Sequence, residues 1–207
     1  MLRGLPSLAG PLPAFDLAVA PADPTALFEE WLRYAIDSGL LEPHAMTLST
    51  VDTRGRPAAR TLILKNADNG IWQFATSSAS PKGKELANTP WAALTFYWPA
   101  LGRQVRIGGA VVTASAEESA TDFMARSASA RATAWVGKQS EPLSNSHEHA
   151  AAISQASTQA GTVCPEWTVY GVQADEVEFW QGDTERNHTR LRYTHTHGTW
   201  SRTLLWP

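Results

Sequence analysis

The first clear hydrophobic period along the chain is helical. In "PTALFEEWLRYAIDSG", residues 24–39, Leu27, Trp31 and the Tyr34/Ala35 pair recur every three to four positions and make one apolar face. Asp23 stands at the N-cap, Pro24 fits the first turn and Gly39 marks the stop. The period then shortens. "AMTLSTV", "AARTLILK", "GIWQFATS", "WAALTFYW" and "RQVRIGGAVVTA" are short, apolar and β-biased, and "DTRGRP", "NADNG" and "PALG" separate them as turns. Helices are predicted around 80–88, 115–126 and 145–160, and "TVYGVQADEVEFWQ", "RLRYTH" and "TWSRTLLWP" return the chain to strands. Hairpin spacing of this kind predicts an α+β, mainly β domain: a closed or nearly closed antiparallel barrel with peripheral helices rather than βαβ units.

Composition narrows the class. With 207 residues, 43% apolar content and nine tryptophans, the chain has enough material for one core. A formal charge of −3 excludes a nucleic-acid binder held by bulk electrostatics, so any anion site must be local. Cys164 is the only cysteine, which removes intramolecular disulfides and cysteine metal clusters. No apolar run approaches the roughly 20 residues of a membrane span. The opening "MLRGLPSLAGPLPAF" is broken by Pro6, Pro11 and Pro13 and makes a poor signal-peptide core. The expectation is a cytoplasmic protein, with residues 1–22 as a flexible arm and 23–207 as the domain, and with no metal, membrane or nucleic-acid partner.

Several polar residues sit where a plain barrel does not need them. Arg60 and Lys65 flank "TLIL"; five residues apart in a regular strand they face opposite sides, so a shared ligand requires a bulge or the use of both faces. "TSSASPKGKEL", residues 76–86, offers backbone N–H groups and Lys82 or Lys84 to a phosphate, without the pattern of a nucleotide-hydrolysing loop. Gln104, and Gln139 with Ser140, are uncharged donor–acceptors suited to the edge of a heterocycle or to a phosphate. In "FWQGDTERNHTRLRY", strand spacing would put Arg186, His188 and Arg190 on one face, a row of cations that repel unless a polar ligand lies across them. His147 and His149 are read as a solvated helix end and His195 and His197 as an exposed hairpin, because neither pair has metal-ligand spacing.

Taken in order, "RTLILK", "TSSASPKGKEL", "GRQVRIGG", "AWVGKQS", "VEFWQGDTERNHTRLRY" and the terminal "LLWP" resemble the pyridoxamine 5′-phosphate oxidase family from about residue 25 to 207. The resemblance implies a six-stranded, Greek-key type split β-barrel that binds flavin mononucleotide (FMN) and works as a homodimer. It also implies the site. Arg60 and Lys82 would hold the FMN phosphate with Gln139 and Ser140. Leu62, Ile63, Lys65, Ala75 and Thr76 would lie along the cofactor, Gln104 would contact it, and Trp180 and Arg190 would reach it across the dimer interface. Arg186 and His188 would be the catalytic and substrate-binding pair, with Lys65 and Arg126 on the substrate phosphate. The implied reaction oxidises pyridoxamine or pyridoxine 5′-phosphate to pyridoxal 5′-phosphate, with dioxygen reduced to hydrogen peroxide.

Three positions depart from that pattern. Asp122 and Ala130 stand where the family usually completes the phosphate pocket with tyrosine and serine, and Pro81 replaces a basic residue before Lys82. Asp122 is a poor neighbour for a dianion. These departures suit a second substrate class, a reduced aromatic ring of the dihydrophenazine type. A non-catalytic flavin- or heme-binding module is a third reading, opposed by the intact Arg186-x-His188 pair.

Overall fold

The computed structural model describes residues 2–207. Helix α1 (Pro24–Asp37) begins where the Asp23 carboxylate accepts the Thr25 N–H at 2.8 Å and gives way to Gly39 at φ +74°. Strands β1 (Ala45–Val51) and β2 (Pro57–Ile63) form a hairpin; β3 (Asn66–Asp68) and β4 (Ile71–Ser77) form another, followed by α2 (Pro81–Asn88). Then come β5 (Trp91–Trp98), β6 (Arg103–Thr113), α3 (Ala116–Ala125), α4 (Ala128–Val136), α5 (Ser146–Ser157), β7 (Trp167–Gln181), β8 (Thr189–Thr196) and β9 (Thr199–Leu205).

All pairings are antiparallel, in the order β2-β1-β5-β6-β7-β4-β3, with β8 added to β7 and β9 to β8. This is the mainly β, curled antiparallel architecture that the strand spacing predicts. The six long strands of the main path carry it, and short β3 and the β8–β9 ribbon extend it to nine. Strand β7 is the branch. It pairs β6 along one edge and divides the other, Trp167–Gln173 with β4 and Glu176–Gln181 with β8. The β6–β7 register shifts at Gly108/Gly109, and a Cβ on Gly109 would stand 1.9 Å from the Gln173 carbonyl oxygen, so only glycine allows this close approach.

The interior is aromatic. Phe28 of α1 packs at 4.9 Å from Phe96 and 6.0 Å from Trp72, and Trp31 at 5.2 Å from Phe179. Each such side chain, removed from water, contributes about 1.5–3 kcal/mol. The segment before α1 lies on this core. Phe15 packs on Trp31, and Ala14, Ala20 and Pro21 offer their carbonyls to Arg103, Arg202 and Tyr193.

Two elements differ from the sequence expectation. Asn66–Asp68, expected as part of a turn, forms β3, and α4 was not expected at all. Helix α4 is capped by Ser127, whose side chain accepts the Ala130 N–H, and ended by left-handed Gly137. None of the described helices is long and apolar enough to cross a membrane.

Candidate active site

A cleft of about 710 Å³ opens between the β2 end, β4 and helices α4 and α5. Leu62, Ile63, Lys65, Ala75, Thr76, Arg126 and Gln139, all anticipated from the sequence, line it. The chain brings Lys65 there by changing partner. Leu64 N–H still donates to the His44 carbonyl beside β1, whereas Lys65 N–H donates to Gln73 of β4. The β1–β2 register is unbroken from Ala45↔Ile63 to Val51↔Pro57, so there is no bulge. Consecutive residues Thr61, Leu62 and Ile63 line the cleft, so both faces of the strand end are used, and Arg60 stands just outside the lining.

Arg60 and Lys82 form one group of cations. Arg60 donates to Thr50 and, at 3.0 Å, to Glu85, whose carboxylate also accepts from Thr50. Lys82 is only 4% exposed, and its Nζ donates to Gln139 Oε1 at 2.7 Å and lies 3.4 Å from Ser80 Oγ. Burial, and secondarily the Arg60 charge, push the Lys82 ammonium below the usual lysine range, with the Glu85 carboxylate opposing the shift. Backbone packing fixes this end: Ser80 caps α2 by accepting the Gly83 N–H, and a Cβ on Gly83 would stand 2.4 Å from the Ser78 carbonyl oxygen. Ser140 adopts a left-handed conformation, φ 69°, just outside the cleft lining.

A second group is built around Lys65 and Asp122. Lys65 Nζ is 2.8 Å from Asp122 Oδ1, and Asp122 Oδ2 accepts the Trp167 indole N–H at 2.9 Å. The Arg126 guanidinium lies 4.0 Å over the Trp167 ring, and its buried Nε has no partner. Burial lowers the Arg126 pKa while the Asp122 charge opposes the shift.

The remaining predicted residues do not line this cleft. Gln104, Trp180 and Arg190 are register partners across β6, β7 and β8, continued by Tyr97 of β5 and Leu205 of β9. Arg190 grips buried Glu178 through Nε at 3.0 Å and a terminal nitrogen at 3.1 Å, a charge-assisted fork that raises its pKa. Arg186 and His188 precede β8 and do not share a strand face with Arg190. The Asp183 carboxylate accepts the Glu185 and Asn187 N–H groups, turning the chain and holding Arg186 at φ 71°. Asp183 N–H donates to His188 Nδ1 at 3.0 Å, and the ring packs on Trp180.

Glu85, Glu178, Thr50 and Trp167 were missed from the sequence. The exposed His149 lies at the cleft rim on α5. Among the described residues, no group of three or more His, Cys, Asp or Glu is placed to hold a metal ion.

Residues 32–160 match the family model described as pyridoxamine 5′-phosphate oxidase, and residues 167–207 match the pyridoxine 5′-phosphate oxidase C-terminal dimerisation region. The chain belongs to the pyridoxamine 5′-phosphate oxidase family. It is 42% identical over 200 residues to the pyridoxine/pyridoxamine 5′-phosphate oxidase of Paraburkholderia phymatum, covering 95% of this chain and 94% of that one. The enzyme of the same name from Pseudomonas paraeruginosa is 40% identical, covering 92% and 91%. Among solved structures, PhzG from Burkholderia lata in complex with tetrahydrophenazine-1-carboxylic acid superposes with TM-score 0.89 at 29% identity, covering 96% of this chain and 100% of that one. An FMN-binding family protein from Nostoc punctiforme, 20% identical with TM-score 0.76 over 91% and 100% of the two chains, shares the fold. The protein is thus an oxidoreductase of a flavoprotein oxidase family, on its split-barrel fold.

Proposed function

We propose that this family member is an FMN-dependent oxidase that converts pyridoxamine or pyridoxine 5′-phosphate to pyridoxal 5′-phosphate while dioxygen is reduced to hydrogen peroxide. The observation that carries the cofactor assignment is Lys82: a buried ammonium whose hydrogen-bond partners are all neutral, beside Arg60, and which the Glu85 carboxylate compensates only in part, is suited to an anion. The residues fit FMN. A cleft of about 710 Å³ suits a heterocycle on a polar arm, with the Gln139 amide at the charged end and Leu62, Ile63 and Ala75 along the wall.

When bound, FMN supplies the hydride acceptor and the route by which electrons reach dioxygen. The chain's own residues bind and orient. Lys82, Arg60, Gln139, Ser140 and Thr76 hold the phosphate end, and Lys65 and Arg126 hold the anionic arm of the substrate. His188 accepts the Asp183 N–H at Nδ1, so its neutral ring carries the proton at Nε2, available beside Arg186 for the reacting ring.

Trp180, Arg186, His188 and Arg190 belong to β7, β8 and the loop between them, apart from the cleft of their own chain, so a homodimer is part of the proposal. One chain's ribbon completes its partner's cleft, with Gln104 in the same cross-strand row. The dimerisation-region match over residues 167–207 supports this, because it spans the ribbon.

A second reading, oxidation of a reduced aromatic carboxylate, has one observation in its favour: the ion pair between Lys65 and Asp122, which spends a cation that a substrate phosphate would use. Reconstitution with FMN followed by a peroxide assay tests both. Peroxide from pyridoxine 5′-phosphate is expected; peroxide only from a dihydrophenazine carboxylate would replace the first reading with the second, and failure to take up FMN would overturn both.

A further inference from the structure

Asp122 is held at two points, with one oxygen on Lys65 at 2.8 Å and the other on the Trp167 indole at 2.9 Å. Each of its oxygens therefore has a partner, and Asp122 is held directly behind two residues of the cleft wall, Lys65 and Trp167. Lys65, Arg126 and Trp167 all line the cleft, and the Arg126 guanidinium lies over the same indole, 4.0 Å from its ring centre. Two cations and one carboxylate leave one net positive charge. Among the described residues at this end, Arg126 Nε is the buried donor without an acceptor. This end therefore offers a ligand one net positive charge and one free buried donor, less than it would offer without Asp122.

A phosphate monoester carries about −1.5 to −2 near neutral pH. To reach Lys65 it must share the ammonium with Asp122 and meet that carboxylate at close range, where like charges repel. A carboxylate brings half the charge and fits the guanidinium in one plane. Asparagine at this position would keep an oxygen for the Trp167 N–H while removing the charge, so the discrimination is electrostatic and separable from the packing of α3 on β7.

We propose that Asp122 determines substrate specificity by charge: as an internal counter-ion for Lys65 it favours substrates with a singly charged arm, a carboxylate above all, and penalises a phosphate dianion. This rests on the FMN-oxidase reading, and it applies whichever ring the site oxidises. Phosphate-bearing ligands bind against the Asp122 charge, and ligands without phosphate do not feel it.

The test uses the FMN-loaded chain with its flavin kept reduced under anaerobic conditions, so that no hydride is taken up, and calorimetric titration with pyridoxine 5′-phosphate and with pyridoxine, for wild type, Asp122→Asn and Asp122→Ser. The expected result is that both variants bind the phosphate about tenfold tighter, with pyridoxine changed less than about twofold. Equal change for both ligands, or none, overturns the proposal while leaving the cofactor reading intact. A parallel FMN titration of the apo chain separates the two failures, since no FMN uptake overturns the underlying reading itself.

Discussion

Two pairs of cations serve the cleft, Lys65 and Arg126 in its lining and Arg60 and Lys82 behind it through Gln139, each with one carboxylate beside it, and the acids act in different ways. At one end Glu85 is engaged by Arg60 and Thr50, and buried Lys82 is left with Gln139 and Ser80, both neutral. At the other end Asp122 takes Lys65 directly, and Arg126 rests on an aromatic face. The same inventory of charge gives one end a strong demand for an anion and the other a weak one. Anion affinity here follows from where the carboxylate points, because a charge already paired at 2.8 Å offers little to a ligand.

The contrast breaks first at Lys82. Lys82→Met should cost about a hundredfold in FMN affinity, measured by flavin fluorescence, since it removes the buried charge that the phosphate pairs with. The apo fold should hold its melting temperature or gain, because a desolvated ammonium has been replaced by an apolar chain of similar length. Gly83→Ala should cost about tenfold in FMN affinity, as its Cβ at 2.4 Å from the Ser78 carbonyl forces the loop that places Lys82 to move. The Lys65–Asp122 end should be untouched, with substrate-analogue affinity per FMN-loaded site unchanged.

Glu85→Gln should sharpen the comparison in the other direction. Releasing Arg60 raises FMN affinity by about threefold and lowers stability by about 1–2 kcal/mol, read from fluorescence titration and urea denaturation. The smallest effect is with pH. Burial holds Lys82 below its usual value of 10.5, so the unfolded chain keeps that proton to higher pH than the folded one. Apo stability therefore rises as pH increases through the lowered value towards 10.5, whereas FMN affinity falls over the same interval as the ammonium is lost. Lys82→Met should remove both trends.

How much of this was legible in the sequence varies by region. The long strands and α1 were, because period-two and period-3.6 patterns survive in "AMTLSTV" and "FEEWLRYA". Strand β3 is three residues long and too short to express a period. Helix α4 did carry signals, Ser127 at its start and Gly137 at its end, but its alanine-rich face lacks a strong apolar stripe. In the site, Leu62, Ile63, Lys65, Ala75, Thr76, Arg126 and Gln139 line one cleft as their motifs suggested. Arg60 and Lys65 fall apart as their spacing implied, Lys65 through a change of strand partner, whereas the single face expected for Arg186, His188 and Arg190 is not formed, because Asp183 turns Arg186 and His188 out of the strand that holds Arg190. Glu85 and Glu178 were invisible because their meaning lies in partners 25 and 12 residues away, which spacing on one element does not encode.

The most direct test of the central claim is the preference for FMN over riboflavin in three proteins: wild type, Lys82→Met and Lys65→Met. The two flavins differ only by the phosphate, so their affinity ratio reports which lysine serves it. The preference should be large in wild type, collapse in Lys82→Met and be retained in Lys65→Met. A preference that survives Lys82→Met, or collapses in Lys65→Met, would contradict the assignment of the two ends.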